Sequence, residues 1–300
     1  MRNNQTSLLF LMVLPVIIIW GCNFAVMKIG MNQIGPFLLA SLRFLVASIP
    51  LIFFIKKPQI PFKFIIAYSL TFGLGQFGLL FSAIKLGLPS GMASLLVQLQ
   101  VMFTPIFSLL ILKQRISTPT VWAICLSLVG LLIIIYSTQD VSAELLPIIL
   151  GCGAALSWAL SNVVISWGKT QNYAYSPISL VVWASAMLPI PFLFMALFTG
   201  EFNQLSLTHL IYSLPSAFYL GVIATVIAYH FWVKALTNFP AAHVAPFSLL
   251  IPVIGLLLGS FMFDEVLSFY EILGCTFILI GLVCHVISLK SNQPSAVNDK

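Results

Sequence analysis

The sequence predicts an all-α polytopic membrane protein of ten transmembrane helices, arranged as two inverted five-helix repeats. Composition, the spacing of apolar runs and an internal repeat carry that prediction. The 300 residues are 60% hydrophobic and only 7% charged, with a mean hydropathy of +1.09, whereas a soluble domain carries about 25% charged residues. So few charges cannot cover the surface of a 33.0 kDa soluble body, and the same hydrophobicity excludes an intrinsically disordered chain. The net charge of +6 would attract phosphate. The basic residues, however, stand in short groups between apolar runs, and no nucleic-acid partner is expected.

A spanning helix needs roughly 20 predominantly apolar residues, and charges and turns cut the chain into runs of that length. The first, 7–27, follows Arg2 and reads as an uncleaved helix, because no small-residue cleavage site follows it and Trp20 is too bulky for the lipoprotein pattern before Cys22. The second, 36–55, stops at Lys56-Lys57; the third, 64–84, lies between Lys63 and Lys85. The fourth, 91–112, runs from the Leu88-Pro89 turn to Lys113, and the fifth, 119–136, ends before Asp140. The sixth, 145–167, starts after Glu144 and closes before Lys169; the seventh, 177–198, ends before Glu201. The eighth, 208–233, stops at Lys234, the ninth, 242–263, at Asp264-Glu265, and the tenth, 269–289, at Lys290. Runs such as 131–135 have no polar face for a barrel lumen, so helices are the way to satisfy the backbone in lipid.

Numbering the loops by these runs places Arg2, Lys56, Lys57, Lys63, Lys113, Arg115, Lys169, Lys234, Lys290 and Lys300 on one side. The other side holds Lys28 and Lys85 and collects Asp140, Glu144, Glu201, Asp264, Glu265 and Glu271. By the positive-inside rule both termini are cytoplasmic. Cys22, Cys125, Cys152, Cys275 and Cys284 lie in apolar runs without a CxxC pair, so neither a disulfide framework nor a metal site is expected, and no cofactor is.

The chain repeats itself. An offset near 151 residues aligns Tyr68 with Tyr219, Leu88-Pro89 with Phe239-Pro240, and Val129-Gly130-Leu131 with Ile280-Gly281-Leu282. A shorter offset pairs Trp20 and Asn23 with Trp158 and Asn162. The division falls into 1–138, 139–289 and a polar cytoplasmic tail, 290–300. Five helices per half invert the second half in the membrane. The basic turn Lys113-Gln114-Arg115 then corresponds to the acidic Asp264-Glu265. Inverted repeats are common in secondary transporters, whose substrate sites lie near the midplane between the repeats.

Trp20-Gly-Cys-Asn23-Phe-Ala-Val-Met-Lys28, Ser41-Leu-Arg43-Phe44, the stretch from Gly87 to Gln100, and Ala245-Pro246 through Pro252 together resemble the EamA family of the drug/metabolite transporter superfamily over nearly the whole length. The resemblance implies an inner-membrane transporter exporting small amino-acid metabolites (cysteine- or O-acetylserine-like) from a bacterial cytoplasm. The alternative cargoes within this fold are other amino acids, nucleosides or hydrophobic drugs. Family members usually carry an acidic residue at the end of the fourth helix as well as the ninth; Gln114 stands in that region here.

Polar side chains in hydrocarbon are costly and mark candidate contacts. Asn23 and Asn162, Gln76 between Gly75 and Gly78, and Gln98 and Gln100 are the uncharged candidates for substrate binding. Two residues apart, Gln98 and Gln100 cannot share one helix face. Trp183 and Tyr229 are candidate aromatic walls, with Trp232 read as an interfacial anchor. Arg43, the sole basic residue well inside a helix, is assigned either a structural role or the binding of a substrate carboxylate. His230, His243 and Glu265 are candidates for coupling to protons. Pro105, Pro246 and Pro252 are candidate helix interruptions or hinges. No nucleophile, base or metal cluster of a membrane enzyme is visible, nor a filter-like loop or charged ring of a channel. The partners expected are a small-molecule substrate, the lipid bilayer and protons as the coupling ion, with room for a homodimer.

Overall fold

A computed structural model describes residues 2–88, 90–114, 116–137, 145–263 and 268–291. These residues are predominantly helical, without a strand among them. Eight helices are long and apolar enough to cross a membrane: Ser7–Met31, Phe62–Lys85, Met92–Leu112, Thr118–Tyr136, Leu145–Thr170, Pro177–Phe198, Leu207–Asn238 and Phe269–Ser288. Two shorter apolar helices, Pro36–Ile52 and Ala241–Leu257, complete the set. In chain order these are the first to tenth spans. They match the sequence expectation run by run, with the first and eighth extending several residues further than charge alone suggests.

Local chemistry fixes the ends. The second span opens on Pro36 at its first turn, where a missing N–H costs nothing. Its exposed N–H groups are capped from a distance: Leu38 N–H donates to Glu201 Oε2 at 2.9 Å and Phe37 N–H to Oε1 at 3.4 Å. Lys85 Nζ closes on the same carboxylate at 3.0 Å, so one acid ties the ends of the second and third spans to the loop after the seventh. Glycine at position 35 leaves room for this cap, since a β-carbon there would overlap the Glu201 side chain and push it aside. The tenth span starts with a capping box, in which Glu271 N–H donates to Ser268 Oγ at 3.2 Å and Ser268 N–H to Glu271 Oε2 at 2.7 Å.

The two halves repeat the same irregularities. The third and eighth spans each carry a π-helical segment, Ser69–Gly75 and Tyr219–Ile227. The fourth and ninth each carry a 3-10 segment, Val97–Leu99 and Ala245–Leu249. Pro246 lies within the latter and Pro252 in the first turn of the helix Leu250–Phe263 that follows it, whereas the helix Gln100–Leu112 runs through Pro105. Pro105 therefore does not interrupt its helix.

Packing interleaves the halves. The first span packs on the eighth and ninth, and the sixth packs on the third and fourth. The second meets the seventh, and the fifth lies along the tenth, where a β-carbon on either Gly130 or Gly274 would collide with the other's carbonyl. Large apolar side chains such as Trp122, Leu110 and Phe198 stay exposed on the outside, where a bilayer supplies the apolar surroundings.

Candidate functional site

Three of the irregular segments, Ser69–Gly75, Val97–Leu99 and Tyr219–Ile227, supply or directly precede residues that line one cavity. π-helical turns occur in proteins mostly as single insertions, often at functional sites, and they disturb the regular carbonyl pairing. Here the first span of the opposite half supplies the missing donor: Trp20 Nε1 donates to Ala224 C=O of the eighth span at 2.9 Å. Ser157 Oγ of the sixth span does the same for Thr71 C=O of the third at 2.9 Å. The π segment of the third span ends where Gln76 begins the next α-helical stretch, and Tyr229 stands two residues past the segment in the eighth.

Between these segments lies a cavity of about 30 Å³, room for about two ordered waters at roughly 10–15 Å³ each. The first span contributes Trp20, Asn23 and Phe24, the second Arg43, and the third Gln76, Phe77 and Leu80. Val97 and Gln98 come from the fourth span, Trp158 from the sixth, Tyr229 from the eighth and Ile251 from the ninth. Trp20 sits at the centre of the aromatic wall, edge-on to Trp158 at 5.4 Å and tilted against Tyr229 at 4.8 Å.

Four of the residues nominated from the sequence therefore meet here: Asn23, Gln76, Gln98 and Tyr229, with Arg43 as a fifth. Tyr229 Oη donates to Gln76 Oε1 at 3.3 Å, and Asn23 Nδ2 reaches only Met27 Sδ at 3.3 Å. Asn23 Oδ1, Arg43 Nη1, Trp158 Nε1 and both amide atoms of Gln98 are buried without a hydrogen-bond partner among the described residues. Buried polar groups are normally satisfied. Several orphaned donors and acceptors therefore gather around one cavity.

Gln100, Asn162 and Trp183 do not line this cavity. Gln100 Nε2 donates to Ser248 Oγ at 2.6 Å, and its Oε1 accepts from Thr104 Oγ1 and Asn162 Nδ2, both at 3.0 Å. Asn162 Oδ1 in turn accepts from Trp232 Nε1 at 2.8 Å. This network ties the fourth, sixth, eighth and ninth spans together, and it buries Trp232, which the sequence reading had placed at the interface. Trp183 Nε1 donates to Ile55 C=O at 3.0 Å, fastening the seventh span to the end of the second.

Of the coupling candidates, His230 is half-buried and leans edge-on against Phe231. His243 lies on the ninth span beside His285 of the tenth, 6.4 Å between rings. His285 was missed by the sequence reading, although an isolated histidine in the apolar run Gly281-Leu-Val-Cys-His285 is the same signal that singled out the other two. Its Nε2 stands 3.0 Å from His243 C=O, and because a carbonyl only accepts, that nitrogen carries the hydrogen. Glu265 lies outside the described residues.

Comparison with known proteins gives a family match over both halves: residues 7–136 and 145–287 each match the EamA-like transporter family. A protein of Salmonella typhimurium named "Probable amino-acid metabolite efflux pump" is 34% identical over 294 residues, 96% of this chain and 97% of that protein. A protein of the same name from Escherichia coli is 32% identical, covering 93% and 95%. A solved structure titled "Crystal structure of protein" superposes with a TM-score of 0.74 at 17% identity, over 94% of this chain and 97% of its own. At that identity it supports the fold alone.

Proposed function

The chain belongs to the EamA-like transporter family, and from that premise we propose that it exports small amino-acid metabolites, cysteine- or O-acetylserine-like, through the central cavity. It is a multi-pass transporter of small metabolites in a bacterial inner membrane, not an enzyme. The cargo reading is supported by the names of the two relatives and, above all, by the cluster of unpartnered polar atoms on Asn23, Gln98, Arg43 and Trp158. Amide groups accept from an ammonium and donate to a carboxylate, which suits a zwitterion. Asn23, Gln76, Gln98 and Tyr229 contact the substrate in this reading, while Gln100 and Asn162 hold the helices around it.

Residues 1–138 and 139–289 act as two inverted repeats rocking about the cavity, with both termini and the tail 290–300 cytoplasmic. Matching π and 3-10 segments in the two halves support this division. Protons are the coupling ion, with His230, His243, His285 and Glu265 the groups to test. A second reading, a flatter or more hydrophobic cargo such as a nucleoside or drug, draws support from the aromatic wall of Trp20, Phe77, Trp158 and Tyr229.

Counterflow in proteoliposomes loaded with cysteine or O-acetylserine, with and without a proton gradient, tests the proposal. Accumulation of labelled cargo above that of empty liposomes is the expected result. No counterflow with either compound removes the amino-acid cargo and turns attention to the second reading.

A further inference from the structure

The cavity holds one full charge. Arg43 projects from the middle of the second span and is 1% exposed, too deep for its head to reach interfacial water by snorkelling. The guanidinium lies over the Phe77 ring, 4.1 Å from Cζ to centroid, with Phe44 at 5.5 Å. Its Nε donates to Thr225 Oγ1 at 2.8 Å. Thr225 belongs to the π segment of the eighth span, and its hydroxyl donates onward to Leu220 C=O at 2.7 Å. Thr225 therefore accepts from the arginine with its hydroxyl already oriented by the π turn. The edge of the guanidinium that remains carries Nη1, which has no partner among the described residues.

Nor do the described residues balance the charge. Among the described residues the carboxylates are those of Glu201 and Glu271, and both are engaged elsewhere, with Lys85 and with Ser268. A buried cation without a counterion costs several kcal/mol, and ionisable groups held at such depth mark substrate or ion pathways. A carboxylate is the group that matches: it is acceptor-only and its two oxygens fit the fork of a guanidinium. On the same cavity, Asn23 Oδ1 and Gln98 Oε1 offer unpartnered acceptors for an ammonium.

Resting on the reading of this cavity as the substrate site, we propose that Arg43 recognises a substrate carboxylate and that Thr225, from the opposite half, is its positioning residue. The substrate class is then small compounds with a free carboxylate; amines lacking one are rejected, because they leave the arginine unpaired and bring a like charge beside it.

The test uses the purified full-length protein in lipid nanodiscs and three probes built on the same thiol: cysteine, 3-mercaptopropionate without the ammonium, and cysteamine without the carboxylate. Thermal stabilisation and indole fluorescence report binding. Cysteine and 3-mercaptopropionate should both bind, cysteamine at least tenfold more weakly. Arg43→Gln should erase that preference and Arg43→Lys keep part of it. Thr225→Val, which leaves the arginine in place, should raise the KM for cysteine counterflow severalfold at unchanged maximal rate, a split that a merely structural role would not give. This variant decides the matter should Arg43→Gln fail to fold. Cysteamine binding as tightly as cysteine, or an undiminished preference in Arg43→Gln, overturns the assignment of Arg43 and leaves the cavity as the site. No response to any of the three probes overturns the cargo reading together with it.

Discussion

Gln98 and Gln100 stand two residues apart on the fourth span and meet opposite surroundings. Gln98 lies in a 3-10 segment, whose three-residue turn advances about 120° per residue against about 100° in the α-helix that follows, so the side chains diverge by roughly 200–240° and one enters the cavity while the other turns toward Asn162 and Ser248. Their substitutions should differ in kind. Gln98→Ala removes only unpartnered groups, and it should cut cysteine counterflow tenfold or more at an unchanged melting temperature. Gln100→Ala takes one bond each from Ser248 and Asn162 and leaves the Thr104 hydroxyl without its acceptor, and a polar group left buried and unpaired costs about 1–3 kcal/mol. Its melting temperature should fall by several degrees, measured by differential scanning fluorimetry in detergent. Sequence alone could say that the two glutamines face apart; it could not say which faces in, because that depends on how the fourth span is rotated against its neighbours. The same limit hid the role of Trp232: three residues past Tyr229 and beside Lys234, it has the composition of an interfacial anchor, and only packing puts it in the network.

Irregular elements adjoin the site: Val97 and Gln98 come from a 3-10 segment, and Gln76 and Tyr229 stand just past the π segments. No proline falls in Ser69–Gly75 or Tyr219–Ile227, so no proline marks either π segment, whereas the visible proline at 105 leaves its helix continuous. The wider turn follows from tertiary contacts, with Trp20 and Ser157 of the opposing first spans bonding to the disturbed carbonyls. A π turn is one residue longer than the α turn it replaces. Deleting Leu70, an exposed residue of the third-span segment, should restore α-helical register and rotate Gln76 by about 100° relative to the residues before it. Membrane insertion should persist while cysteine counterflow falls to the level of empty liposomes. By contrast, the spans themselves were legible almost to their ends, since length and charge placement in a bilayer leave few alternatives.

At the scale of the whole molecule, the charge asymmetry of the loops makes an orientation testable by fusion. Green fluorescent protein at the C-terminus should fluoresce, and alkaline phosphatase joined after Gly200 should be active; the reverse pattern would overturn the cytoplasmic placement of the termini. The interleaving of first and sixth spans with the opposite halves was beyond sequence, because the repeat offsets say which helices are equivalent and nothing about which ones touch. The small size of the cavity carries a further consequence. A site of about 30 Å³ has room for water and none for an amino acid, so cargo using this route boards only as the surrounding helices part. Loading and widening are then one event, and the pace of the carrier is set by how readily its walls yield.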